Sequence, residues 1–281
     1  MKEALAQADR NQKRLGFVPT MGYLHEGHMS LIQKAKAEND LVVVSVFVNP
    51  MQFSPGEDFE SYPRDIERDY RLAIAVGADI VFHPDVEEIY LPGASAAVEV
   101  TGEMTRKLCG VSRPNHFRGV TTVVSILFHI VRPDKAYFGQ KDAQQLIIIK
   151  KMVRDLHIPV EVVGCPIVRE KDGLARSSRN VYLKPEERKA AVVLNRALGI
   201  AEEYLRSGAE RNSDVETLKN IIRDEIESEP LAAIDYVELL DGVTLENVST
   251  VLHGKEVLAA VAVRFGTTRL IDNRILSILR K

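Results

Sequence analysis

Short, nearly uniform apolar runs alternate with longer amphipathic ones through the first half of the chain, the signature of βα units. Leu15 to Val18 reads as a strand stopped by Pro19. His28 to Glu38 follows with a helical pattern, Leu31, Ile32 and Ala35 falling on one face. Leu41 to Val48 is almost wholly apolar, as a parallel strand covered on both faces should be. Arg64 to Val76 predicts a helix ending at Gly77, and Asp79 to Phe82 a strand before Pro84. Val120 to Val131 predicts an apolar helix, Lys135 to Phe138 a strand, Ala143 to His157 a helix and Val160 to Val163 another strand. That order implies an α/β fold, a doubly wound parallel sheet with right-handed crossovers.

The pattern changes after Val168. Pro185 to Arg206 predicts one long helix, with proline in its first turn and Gly208 just beyond its end. Asp214 to Ser228 predicts a second. Ile234 to Leu240, Val257 to Arg264 and Arg269 to Ile275 then read as strands of a small sheet. The expected organisation is residues 1–167 as the α/β domain and residues 168–281 as a smaller C-terminal α+β domain.

Composition adds exclusions. The 281 residues are 45% hydrophobic and 27% charged, ordinary for a globular protein, and the net charge is −3 with the signs interspersed. No basic stripe marks a nucleic-acid surface, so no nucleic-acid partner is expected. No apolar run approaches the roughly 20 residues of a membrane span, and Met1 to Arg14 is too polar for a signal peptide. Cys109 and Cys165 form no CxxC pair, which predicts two reduced thiols and a cytoplasmic location.

Candidate chemistry begins at Met21-Gly22-Tyr23-Leu24-His25-Glu26-Gly27-His28, directly after the first strand and opening the first helix. Ligands of open α/β sheets collect at the carboxyl ends of strands, and a helix N-terminus offers N–H groups and a positive dipole end to phosphate. The histidines stand three apart, without the i, i+4 spacing or third ligand of a zinc protease site. Gly139-Gln140-Lys141-Asp142 occupies a second strand end, where Lys141 offers a point charge for phosphate. Arg176-Ser177-Ser178-Arg179 supplies hydroxyl donors and forked cations early in the second domain.

The His-x-Gly-His element is similar to the signature of the nucleotidylyltransferases and class I aminoacyl-tRNA synthetases, whose fold is Rossmann-like. Ser177-Ser178-Arg179 takes the place of their mobile ATP-clamping loop. Alone, this leaves open a nucleotidyltransferase whose dinucleotide is the final product, or a non-catalytic nucleotide-binding remnant. Val48 to Phe53, Tyr62 to Asp65, His116 to Val120 and Ala136 to Gln145 narrow it. Together with the earlier motifs, in order and spacing, they resemble the pantothenate synthetase family over nearly the whole chain.

The resemblance implies an ATP-dependent ligase joining (R)-pantoate to β-alanine through a pantoyl adenylate, with ATP as co-substrate, Mg²⁺ as metal and a cytoplasmic homodimer as assembly. Position by position it implies that Met21 to His28, Gly139 to Asp142, Val168 and Arg176 to Arg179 bind ATP. His28, His25 and Lys141 would be catalytic. Gln52 and Gln145 would hold pantoate, Gln52 would also hold β-alanine, and Asp69 would lie on the magnesium side. Two features depart from the family pattern. Arg176 stands where an apolar residue is commoner, and the strand-forming segment that usually precedes a helix like Met1 to Arg14 is not in the sequence.

Overall fold

A computed structural model describes residues 1–7, 13–207 and 213–277, which form two compact units. The first comprises residues 1–140 and 145–168, the second residues 141–144 and 169–281. In the first, β1 (Leu15–Thr20), β2 (Leu41–Val46), β3 (Ile80–Phe82), β4 (Lys135–Gly139) and β5 (Glu161–Cys165) form one sheet of order β3-β2-β1-β4-β5. Every pairing is parallel. Helices α1 (Lys2–Gln7), α2 (Glu26–Glu38), α3 (Ile66–Ala75), α4 (Val86–Ile89), α5 (Cys109–Ser112), α6 (His116–Val131) and α7 (Ala143–Asp155) complete the unit. Burial of β1 and β2 on both faces explains their continuous apolar runs: one cluster gathers Phe17, Val43, Phe128 and Phe138, the other Val18, Leu24, Ile32 and Val44.

The strands differ from expectation at instructive places. Pro19 does not stop β1, which runs on to Thr20. The Thr20 carbonyl accepts from Phe47 N–H on the β2 side, so the Pro19 nitrogen faces the other flank, where pairing with β4 ends at Phe17. The missing N–H therefore costs no ladder bond. Helix α2 starts two residues early because His25 caps it. Helix α6 gains a turn that carries His116 to Gly119.

In the second unit, β7 (Ala232–Asp241), β9 (Val257–Phe265) and β10 (Thr268–Leu276) make an antiparallel sheet of order β10-β9-β7. A short pair joins β6 (Ser213–Asp214) to β8 (Thr250–Val251). The single helix expected over 185–206 is two, α8 (Pro185–Ala190) and α9 (Val193–Arg206), followed by α10 (Val215–Glu227). No proline or glycine marks the bend. A short turn at residues 191–192 separates α8 from α9, and Ala190, Ala191, Val193 and Leu194 around it are all buried. Gly208, expected just past the helix, lies outside the described residues. Both cysteines are buried and free, and no described helix is long and apolar enough to cross a membrane.

Candidate active site

The first strand delivers the chain into a tight loop. Gly22 (φ +84°) and Tyr23 (φ +49°) are both left-handed, and a Cβ on Gly22 would stand 2.9 Å from both Asp69 Oδ2 and Val46 Cγ1. Only glycine fits there. Thr20 ties the loop to β2: its hydroxyl donates to the Ser45 carbonyl at 2.7 Å and accepts from Gly22 N–H at 3.1 Å. Asp69 of α3, 1% exposed, accepts from Tyr23 N–H at 2.6 Å and Leu24 N–H at 2.7 Å. Burial pushes its carboxyl up, opposed by those two bonds and by the nearby Arg68 guanidinium.

The two histidines cap α2 reciprocally. His25 Nδ1 accepts from Gly27 N–H at 3.1 Å, and His28 Nδ1 accepts from His25 N–H at 3.3 Å. This is a capping box with imidazoles in place of the usual hydroxyl and carboxylate. A backbone N–H can only donate, so each Nδ1 is unprotonated, and in the neutral ring the proton sits on Nε2. Both rings therefore hold Nε2–H as a fixed donor, their centroids 4.1 Å apart.

A second cluster surrounds Gln52, the last residue of a 3-10 turn at Pro50–Gln52. Its amide nitrogen donates to Met21 Sδ at 2.9 Å, which links the turn to the loop after β1. Asn49 donates to Gln52 Oε1 at 3.1 Å and to the Gly119 carbonyl at 3.1 Å, while its own Oδ1 accepts from the Tyr90 hydroxyl at 2.7 Å. Helix α6 comes this close because residue 119 has no side chain: a Cβ there would meet Met51 O at 2.3 Å. His116 Nδ1 lies 2.8 Å from the Gln52 carbonyl, which only accepts, so that nitrogen carries the proton and Nε2 accepts from Arg113 at 3.2 Å. Arg113 also grips Glu57 through two bonds of 2.7 and 2.8 Å. Burial pushes the Glu57 carboxyl up, but Arg113 outweighs it and holds the group below its usual range. Gln145 lies in the first turn of α7.

The remaining predicted residues divide between the units. Gly139 ends β4 opposite Cys165, with Gln140 next, and Val168 is the last residue of the first unit. Lys141 and Asp142 belong to the second unit, where Lys141 and Ser177 line one narrow recess with Leu174, Asn180, Leu270 and Asp272. Asn273 donates to the Lys141 carbonyl at 2.9 Å, and Asp272 holds Arg169 through bonds of 2.6 and 2.9 Å. The Arg176–Arg179 loop rests on Glu170, which meets Arg188 at 2.7 Å and Arg176 at 3.6 Å. Ser177 accepts from Arg179 N–H at 3.3 Å, capping the short 3-10 helix Ser178–Tyr182.

The residues that hold the loops and Gln52 in place, Asn49, Tyr90, Arg113, His116, Glu170 and Asn273, were not among the predicted site residues. Asn49-Pro50 was a readable turn signal. His116 fell within a motif but carried no signal of its partner Gln52, 64 residues away.

A parallel sheet of this order, with a His-x-Gly-His helix start at its first crossover, defines an α/β nucleotide-binding protein. The comparisons then narrow the class. The model of the pantoate-beta-alanine ligase family matches residues 1–275, and the chain belongs to that family. Pantothenate synthetase from Acetivibrio thermocellus is 55% identical over 277 residues, 98% of this chain and 96% of the relative. That from Carboxydothermus hydrogenoformans is 56% identical over 278 residues, 99% and 96% of the two chains. The crystal structure of pantothenate synthetase from Thermus thermophilus superposes with a TM-score of 0.91 at 47% identity, covering 98% of this chain and 97% of the other. The Francisella tularensis ligase, solved with beta-gamma ATP and beta-alanine, matches with a TM-score of 0.76 at 35% identity over 98% of this chain and 95% of its own. The chain is an ATP-dependent ligase that condenses pantoate with β-alanine.

Proposed function

We propose that the condensation runs through a pantoyl adenylate held by the residues described above. A pantoate carboxylate oxygen attacks the α-phosphorus of ATP and pyrophosphate leaves. The β-alanine amine then attacks the acyl carbon, loses a proton and expels AMP. The observation that carries this reading is the histidine pair, whose Nδ1 atoms are occupied by backbone N–H groups. Donors oriented before substrate arrives stabilise charge on phosphoryl oxygens without reorganising during the step. His28 and His25 donate through Nε2, and Lys141 supplies a cation from the turn after β4.

In this reading Met21 to His28, Gly139 to Asp142, Val168 and Arg176 to Arg179 bind ATP. Gln52 and Gln145 hold pantoate, and Gln52 also meets β-alanine, the compound bound in the Francisella tularensis structure. Neutral amides satisfy pantoate's hydroxyls and leave its carboxylate nucleophilic, where a tight arginine pair would quench it. The described residues contain no group of three His, Cys, Asp or Glu suited to an ion. Magnesium accordingly fits as the nucleotide's own hydrated ion, bound to phosphate oxygens. The family resemblance further supports a cytoplasmic homodimer, which light scattering on the purified chain tests directly.

The deciding experiment supplies pantoate labelled with ¹⁸O in its carboxylate, together with ATP and β-alanine. Label appearing in AMP is the expected result, because the attacking oxygen stays on phosphorus. Unlabelled AMP would rule out the adenylate, and a stable dinucleotide accumulating without β-alanine would make the chain a nucleotidyltransferase.

A further inference from the structure

The resemblance assigns Asp69 to magnesium; the geometry points to a different task. We infer that Asp69 is a positioning residue: its carboxylate clamps the loop that presents His25 and His28 and does not ligate the ion. The inference rests on the reading that this loop binds ATP.

Both carboxylate oxygens are engaged by main chain, Oδ2 by Tyr23 N–H at 2.6 Å and Oδ1 by Leu24 N–H at 2.7 Å. These are short, charge-assisted bonds. At 1% exposure the carboxylate offers no face to a hydrated ion, and Mg²⁺ demands near-octahedral access while shedding water reluctantly. Among the described residues no group of three His, Cys, Asp or Glu is suited to hold an ion.

The loop needs such a clamp. Tyr23 has φ +49°, a left-handed conformation that a bulky residue keeps only when its surroundings impose it. Gly22, also left-handed, brings the backbone so close that an added Cβ would stand 2.9 Å from Asp69 Oδ2. Arg68, beside Asp69 on α3, lies over the Tyr23 ring at 5.0 Å and reaches Asp69 Oδ1 at 3.6 Å, gripping the turn from the outside. Directly after the clamped residues His25 becomes the N-cap of α2. Asp69 thus sets where the imidazole donors begin, from a position where it touches no substrate.

Asp69→Asn keeps the volume but turns one acceptor into a donor facing an N–H group. We expect single-turnover adenylation to fall about 10- to 100-fold, in line with losses on removing groups that orient a first shell. The Mg²⁺ midpoint and the KM for pantoate should stay within twofold of wild type. Amide hydrogen exchange at Tyr23 and Leu24 in the ligand-free protein should accelerate at least tenfold. Gly22→Ala, which pushes on the same clamp from the other side, should reproduce that pattern and keeps the test standing if Asp69→Asn folds poorly. A raised Mg²⁺ midpoint with the rate restored at saturating Mg²⁺ would overturn the inference in favour of metal ligation. Unchanged exchange at both amides would overturn it as well. If exchange accelerates while His28→Ala adenylates normally, the clamp stands and the ATP-site reading fails, so the two are separable.

Discussion

The two loops assigned to ATP are built from opposite materials. The His-x-Gly-His loop is stitched down by buried or half-buried bonds to main chain, from Thr20, Asp69 and the two histidines. The Arg176–Arg179 loop stands on partly exposed ions, with Glu170 between Arg188 and Arg176, and Arg188 also 2.8 Å from Asp172. Bonds of the first kind are short-ranged, shielded and indifferent to salt. Pairs of the second kind are individually weak, screened by ions and easily exchanged. A rigid cradle suits the point where charge develops, and a loosely tied loop suits a part that closes and reopens on nucleotide.

That contrast is broken most directly at His28. His28→Ala should lower single-turnover adenylation by about 10²- to 10³-fold, the usual loss of one transition-state donor, and change ATP affinity far less. Near-normal adenylation would remove the imidazole from the mechanism and with it the functional side of the comparison. On the other loop, Glu170→Gln should raise the KM for ATP by about three- to tenfold, corresponding to the loss of partly exposed ion pairs. The wild-type KM should also climb between low and high salt, while the single-turnover rate at saturating ATP holds steady. A salt-independent KM would show that these ions do no work in nucleotide binding.

A smaller effect sharpens the picture inside the first unit, at the far end of α2. Hydrogen bonding from Lys34, then from Tyr137 and Lys135, pulls the Glu38 carboxyl from the ordinary 4.5 to about 2. Its folded value lies below its unfolded one, so its stabilisation is complete above about pH 4.5 and disappears as pH falls towards 2. Glu38→Gln should flatten that part of the unfolding-midpoint profile and leave neutral-pH adenylation intact. A variant profile parallel to wild type between pH 4.5 and 2 would show that the pairing contributes nothing.

The contrast between the loops also explains what could be read from the chain. The fold was legible wherever the hydrophobic period is strong: β2, β4, β7, β9 and β10 all fall on their predicted positions to within three residues. It was least legible where local signals misled or were absent. Pro19 stays inside β1 because pairing with β4 has already ended, and the break between α8 and α9 carries no proline or glycine to announce it. For the site, Gly22, His25, His28, Lys141 and the serines were visible as motifs, since phosphate chemistry demands those residue types near helix starts and strand ends. Asp69 was visible only as a candidate on the magnesium side, and Arg113 and Glu170 read as ordinary surface charge until the fold supplied their partners.

Sequence by itself thus determined the layers, the strand ends that carry chemistry and the family, because hydrophobic period and motif spacing are local properties written residue by residue. Tertiary structure alone decided the proton position on His116 and the use of Asp69. Each depends on which polar group about 3 Å away is left to satisfy, and those groups lie up to 64 residues apart along the chain. A tautomer or a clamp exists only once folding has removed water and brought donor to acceptor.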